Sequence, residues 1–305
     1  MFKNLPKSIH ITEVGPRDGL QNEKKVLSTE DKISFILMLQ KAGLKSIEAT
    51  SFVRPDRIPQ MGDASELYEG LMALTSSKVE YPCLIPNIKG LEKALEAGVK
   101  EIALFTATSE EFNKKNINAS IDESFVRMEE VAKKAISSGL KVRGYVSTVF
   151  GCPYEAETSI KKLIEVSKRL QDLGAYDISL GDTIGVGVPL QVAKIINELE
   201  KNFDLGLFSM HFHDTKGMAL SNVLTSIELG ITKFDSSAGG LGGCPYAKGA
   251  TGNLATEDLV YLCHSLGIET GVDMELLASA SEFILSKLGH ASSSKYLTAY
   301  LAGKK

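Results

Sequence analysis

The chain has little that would staple, anchor or address it. Four cysteines, Cys83, Cys152, Cys244 and Cys263, stand far apart among 305 residues with no CxxC pair. They read as reduced thiols, not as the disulfide framework of a small secreted domain. No apolar run reaches the roughly 18 residues that a membrane helix needs. The opening MFKNLPKSIH has no charged-then-apolar leader, and the closing LAGKK is no receptor-read address, which sets the expectation of a cytoplasmic protein. Neither charge is in large excess: 34 basic residues face 38 acidic ones, for a net charge of −4. That balance argues against the electrostatic footprint of a nucleic-acid binder. Neither GxGxxG nor GxxxxGK[ST] occurs, so a nucleotide-binding doubly wound sheet loses its phosphate loop. No Pro- or Ser-rich linker divides the chain, and residues 1–305 read as one domain.

What is present is a repeated junction. A helical segment, a glycine and a short β-rich run recur as QKAGLKSIEAT, LEAGVKEIALF, ISSGLKVRGYV, QDLGAYDISLG and IELGITKFDSS. Gly43, Gly98, Gly139, Gly174 and Gly230 sit where a helix ends in a left-handed cap. Eight strands are expected near 8–15, 46–51, 79–85, 101–107, 141–149, 176–181, 206–213 and 233–238. Between them lie helical patterns such as TEDKISFILMLQKA, opened by Ser28, and DESFVRMEEVAKKAISS, opened by Ser120. Strict alternation implies parallel strands with helical crossovers, and eight units predict an α/β (β/α)8 TIM barrel. Residues 273–305 are expected to add a C-terminal helical extension, with a helix near 273–288.

In such a barrel chemistry sits at the C-terminal strand ends. The first strand runs into GPRDGLQNE, the sixth ends in Gly181-Asp182-Thr183, the seventh in His211-Phe212-His213-Asp214, and the eighth enters residues 239–253. Period two places Ser209, His211 and His213 on one face and Phe208, Met210 and Phe212 on the other. Two imidazoles so spaced can hold one metal; the alternative is a hydrogen-bonded core histidine beside an exposed one. Arg17-Asp18 is either a rim ion pair or a carboxylate for a hard cation beside a free guanidinium fork. Glu48, inside the apolar SIEATSF, must be paired; it either orients Arg17 or closes a core-edge salt bridge. Six glycines between 239 and 253 suit a loop that moves over substrate, with Cys244 near its centre. A thiol there can take or give a proton, although a lone cysteine is more often inert. Cys83 and Cys263 read as core. Lys114 and Lys115, in the loop EEFNKKNIN, are either solvated or partners for anionic phosphates.

Taken together, VGPRDGLQNE, SLGDTIGVG, HFHDT and GGLGGCPYAKGATGN resemble the 3-hydroxy-3-methylglutaryl-CoA lyase family over nearly the whole chain. Condensing synthases and aldolases of the wider superfamily share Arg17-Asp18 and the two histidines but lack the cysteine-bearing loop. The resemblance implies cleavage of 3-hydroxy-3-methylglutaryl-CoA to acetyl-CoA and acetoacetate, with an acyl-CoA-dependent condensing synthase as the alternative. It implies a divalent cation, Mg²⁺ or Mn²⁺, held by residues matching Asp18, His211, His213 and Asn253; two imidazoles alone would favour zinc or iron. It implies a catalytic arginine at Arg17 and a loop cysteine at Cys244, with Asp18 as a competing base. Gln21, Glu48, Asp182 and Glu257 match positions in or near the family's site. A homodimer and a place in leucine breakdown follow from the same resemblance.

Overall fold

A computed structural model describes residues 4–75, 78–155, 158–242 and 252–304. Among the described residues there are nine strands: β1 (His10–Glu13), β2 (Ser46–Ile47), β3 (Thr50–Ser51), β4 (Cys83–Leu84), β5 (Glu101–Ala107), β6 (Lys141–Ser147), β7 (Asp177–Asp182), β8 (Phe208–Phe212) and β9 (Lys233–Ser236). All pair in parallel in the order β2-β1-β9-β8-β7-β6-β5-β4-β3. The expected second strand, 46–51, is therefore split in two. Successive N–H groups of an extended chain point to opposite sides, and here they serve two neighbours: Glu48 N donates to Glu13 O, while Ile47 and Ala49 donate to Glu80 O and Pro82 O. The two ends of the sheet order are thus consecutive halves of one stretch.

The helices are α1 (Thr29–Lys41), α2 (Ala64–Leu74), α3 (Ile88–Glu96), α4 (Glu110–Ile117), α5 (Ile121–Ser137), α6 (Ile160–Asp172), α7 (Pro189–Glu200), α8 (Ala219–Glu228), α9 (Thr256–Ser265), α10 (Met274–Leu288) and α11 (Lys295–Gly303). Ser28 caps α1 by accepting from Asp31 N, and Ser120 forms a full capping box with Glu123 on α5. The helix expected near 273–288 is α10, and the C-terminal stretch holds a second helix, α11. Lys114 and Lys115 lie in the last turn of α4, not in a loop, because Ser109 caps a helix directly after β5.

Two faces of the sheet differ in kind. Ile178, Leu180, Phe208, Met210, Phe212 and Phe234 belong to the buried apolar core. The alternate positions carry Arg143, Tyr145, Asp177, Ser179, Ser209, His211 and Asp235, all buried. This second side of the sheet, the inner one, is therefore polar, and His211 belongs to it.

The five junction glycines have φ between 80° and 104°. They are not equally crowded. A Cβ on Gly98 meets nothing within 4 Å, whereas one on Gly43 lies 2.1 Å from Gly271 O. Gly98→Ala is expected to cost about 1–2 kcal/mol from the left-handed backbone alone. Gly43→Ala costs more, because a backbone carbonyl must also move. Urea unfolding of both variants checks this; equal losses would refute the close approach at Gly43.

Candidate active site

The site begins with the exit from β1. A π-helical turn, Gly15–Gly19, follows at once, with Pro16 at its start. Glu13, fully buried, holds this turn to the chain beyond β9: its carboxylate accepts from Gly15 N (2.8 Å), Ala238 N (2.9 Å) and Thr256 Oγ1 (2.6 Å). Burial outweighs those donors and pushes its pKa up to about 7.

On the turn, Arg17 is almost wholly buried between two carboxylates. Its Nη1 lies 2.8 Å from Asp18 Oδ1 and its Nη2 2.8 Å from Glu48 Oε2. The guanidinium stands 5.2 Å from the Tyr145 ring centroid, and the Tyr145 hydroxyl donates to Glu48 Oε2 at 3.0 Å. Arg17 Nε is buried and has no hydrogen-bond partner among the described residues. Burial raises the Glu48 pKa, and the Arg17 charge offsets part of that rise.

Asp18 faces the other way, toward β8. Burial opposes its charge, yet Arg17 and then the two histidines outweigh it and hold the pKa at about 2. One oxygen from Asp18 and one ring nitrogen each from His211 and His213 lie within 4.8 Å of one another. His211 Nε2 and His213 Nε2 are 3.4 Å apart. β8 ends at Phe212, so His213 is not a strand residue; it forms an isolated antiparallel bridge with Asn253. That bridge brings in Asn253, whose Nδ2 donates to Asp18 Oδ2 (2.9 Å) and Leu241 O (3.0 Å).

This donor set fits a divalent cation. Asn253 Oδ1 is buried without a partner among the described residues, leaving an amide oxygen free to ligate. Burial, and then the neighbouring His211, depress the His213 pKa to about 4, so that ring is neutral. His211 Nδ1 lies 3.2 Å from Asp235 Oδ2; a carboxylate can only accept, so Nδ1 carries a proton. Burial opposes the ring's charge, but Asp235 and Asp18 outweigh it and raise the His211 pKa; in the neutral ring Nε2 is the atom that keeps a lone pair. The two Nε2 atoms thus face each other beside the Asp18 carboxylate, an arrangement that a shared proton satisfies in the metal-free protein and that a divalent cation can replace.

The remaining candidates are placed as follows. Gln21 Oε1 is buried without a partner among the described residues. Asp182 shares the alternation of Ile178 and Leu180, and its two oxygens accept from Val186 N (3.0 Å) and Gly187 N (2.9 Å). It closes the loop after β7, and burial raises its pKa to about 6. Glu257 accepts Gly239 N at 3.0 Å through both oxygens and fixes the start of the glycine-rich segment. Lys115 Nζ lies 3.7 Å over the Tyr154 ring, and Lys114 is exposed beside Glu111. Cys83 and Cys263 are buried free thiols. Cys244 lies outside the described residues.

Sequence reasoning passed over Glu13, Arg143, Tyr145 and Asp235. Their signal was a charged or phenolic side chain at alternate positions of otherwise apolar strands, KVRGYVS above all.

A buried arginine beside a carboxylate–imidazole cluster, beyond the carboxyl ends of parallel strands, defines an α/β protein with a candidate metal-binding active site. Residues 8–284 match the HMGL-like family model. The chain is 52% identical over 291 residues to a mitochondrial hydroxymethylglutaryl-CoA lyase of Pongo abelii, covering 95% of this chain and 89% of that one. The hydroxymethylglutaryl-CoA lyase structure from Pseudomonas aeruginosa superposes with a TM-score of 0.95 at 47% identity, covering 98% and 99% of the two chains. An HMG-CoA lyase from Acinetobacter baumannii, in complex with coenzyme A and 3-methylmalate, gives 0.91 at 36% identity, with 96% and 95% covered. Related proteins carry both mitochondrial and cytoplasmic names. The chain belongs to the HMGL-like family.

The Glu13 brace has a pH signature. Its folded pKa, about 7, stands above the unfolded value of 4.5. The stability it contributes is then fully present below 4.5 and lost as pH rises through 7. Glu13→Gln keeps an oxygen for the two backbone donors and cannot ionise. Its stability relative to wild type is expected to improve steadily across that window, followed by urea unfolding at stepped pH; a difference that does not change with pH would contradict the assignment.

Proposed function

We propose that this protein is a metal-dependent carbon–carbon lyase that cleaves 3-hydroxy-3-methylglutaryl-CoA to acetyl-CoA and acetoacetate. One observation carries the reading: the Arg17 guanidinium, with an uncommitted Nε, lies directly against the Asp18 carboxylate of the histidine cluster. A cation position and a fixed positive donor are thereby side by side. The names of the relatives, and coenzyme A in one of their structures, agree with an acyl-CoA substrate.

A divalent ion, Mg²⁺ or Mn²⁺, held by Asp18, His211, His213 and Asn253, would lower the pKa of the substrate's tertiary alcohol and orient the bond that breaks. The chain's own residues do the rest. Arg17 donates to the thioester oxygen, where negative charge develops on cleavage. Glu48, itself held by the Tyr145 hydroxyl, stops the guanidinium from rotating away. Asp18, with a pKa near 2, is a poor proton acceptor. The proton transfers are assigned to Cys244, with Asp18 as the competing base. Gln21, with its free carbonyl oxygen, and Asp182, beside the loop it closes, belong to the substrate side of the site. Lys114 and Lys115, on the helix that leaves β5, are assigned to the phosphates of the CoA tail.

The same reading takes the sheet as a closed (β/α)8 barrel forming one domain, with 273–305 as a helical extension. Its support is that the sheet order begins and ends on one stretch, residues 46–51. Exposed Leu190 and Tyr261 supply apolar surface for a homodimer. The cytoplasmic placement draws on the relative that bears that name, and a role in leucine breakdown on the substrate.

A coupled assay for acetoacetate from 3-hydroxy-3-methylglutaryl-CoA tests the reading. Turnover is expected with Mg²⁺ or Mn²⁺ and not in EDTA. Arg17→Gln should lower kcat by about 10²–10³, the usual loss on removing such a donor. No acetoacetate with any divalent metal would reject the substrate.

A further inference from the structure

The inner side of the sheet carries a chain of buried charges that the proposed chemistry does not use directly. Lys233 Nζ lies 2.5 Å from Asp177 Oδ1, and Asp177 Oδ2 is 2.7 Å from Arg143 Nε. Arg143 then divides. Its Nη2 lies 2.5 Å from Asp235 Oδ1, and its Nη1 donates to the Tyr145 hydroxyl at 3.0 Å. Asp235 Oδ2 takes the Ser179 hydroxyl at 2.6 Å and His211 Nδ1 at 3.2 Å. Arg143 and Asp235 are each at most 2% exposed.

We propose that Asp235, held in place by Arg143 and Ser179, is the positioning residue that makes His211 a ligand. It fixes both the tautomer and the direction of the ring. The inference rests on the metal reading above and adds to it the residue that prepares the site before any ion arrives. Both Asp235 oxygens are committed, Oδ1 to the guanidinium and Oδ2 to the ring N–H. His211 is therefore left with Nε2 as its only acceptor, and that atom faces His213 Nε2 at 3.4 Å and Asp18 Oδ2 at 3.9 Å. The Tyr145 ring meets His211 edge-on, with centroids 6.2 Å apart, which limits rotation of the imidazole from the side. Through its other arm, Arg143 reaches Tyr145, Glu48 and Arg17. One buried guanidinium thus steadies the cation side and the oxyanion side together.

Asp235→Asn is the informative change because it keeps the shape and reverses one hydrogen bond. The amide must turn its oxygen to Arg143, which can only donate. Its NH₂ then faces His211 Nδ1, which has to accept, so the ring proton moves to Nε2 and covers the lone pair. Two readouts on the metal-free protein follow. Titration with Mn²⁺, read by the electron paramagnetic resonance of the free ion, should show affinity falling by about 10–100-fold, the usual loss on removing a ligand's carboxylate partner. Nitrogen-15 spectra of the histidines, in alkaline solution where the rings are neutral, should show His211 protonated at Nδ1 in wild type and at Nε2 in the variant. Excess Mn²⁺ should restore part of kcat. Equal Mn²⁺ affinity in both proteins would overturn the role of Asp235 and leave the metal reading standing. A wild type that binds no Mn²⁺ would overturn both. Should the variant fail to fold, the wild-type spectrum decides alone: a proton on Nε2 of His211 overturns the proposal, and one on Nδ1 supports it.

Discussion

The structure depends on pairing charges that water cannot reach. Arg143, on the inner side of the sheet, is 2% exposed and lies between Asp177 and Asp235, each also buried. An isolated ion in such a place would cost several kcal/mol in lost hydration, so Arg143 needs its two carboxylates and Asp235 needs Arg143. Burial opposes the ionised form of Asp235, yet the arginine and the imidazole together hold its pKa well below the usual carboxylate range. The same logic repeats one layer up, where Arg17 lies between Asp18 and Glu48. A network of this kind is weak evidence for stability. It does fix directions, because the Arg143 guanidinium can only donate and the carboxylates of Asp177 and Asp235 can only accept.

The architecture serves that network. Parallel strands send their carboxyl ends to one side, and the residues that follow β1, β8 and β9 meet there although they are far apart in sequence. Glu13 ties the turn after β1 to the turn after β9, and Glu257 ties that second turn to α9. The C-terminal segment adds its own hold on the same place: Ser292 Oγ donates to Gly239 O, and Ser293 Oγ to Gly240 O. α10 packs against α1, which carries the segment across to the site. The extension is therefore part of what shapes the start of the glycine-rich stretch.

Much of this was legible in the residues. Glycine after each helix, serine before it and apolar runs between them marked the alternation of helix and strand. Arg17, Asp18, His211 and His213 stood out at strand ends, Asn253 entered only through the family resemblance, and the structure brings these five side chains near one another. Other features were hidden for physical reasons. A strand that serves two neighbours through alternate N–H groups looks like any other run, so the split of 46–51 left no mark. Arg143 and Asp235 were overlooked because a charge inside a β run reads as an exposed edge until the partner on the next strand is known. Lys114 and Lys115 read as loop because the polar EEFNKKNI has no apolar stripe, and only the Ser109 cap starts a helix there.

Buried pairing of charges prepares one cation position in this protein. The most direct test is a crystal of the protein soaked with Mn²⁺ and measured for anomalous scattering at the metal edge. A single strong peak is expected, bonded to Asp18, His211, His213 and Asn253, with Asp235 still on His211 Nδ1. No peak among these side chains, or a stronger one elsewhere in the molecule, would contradict it.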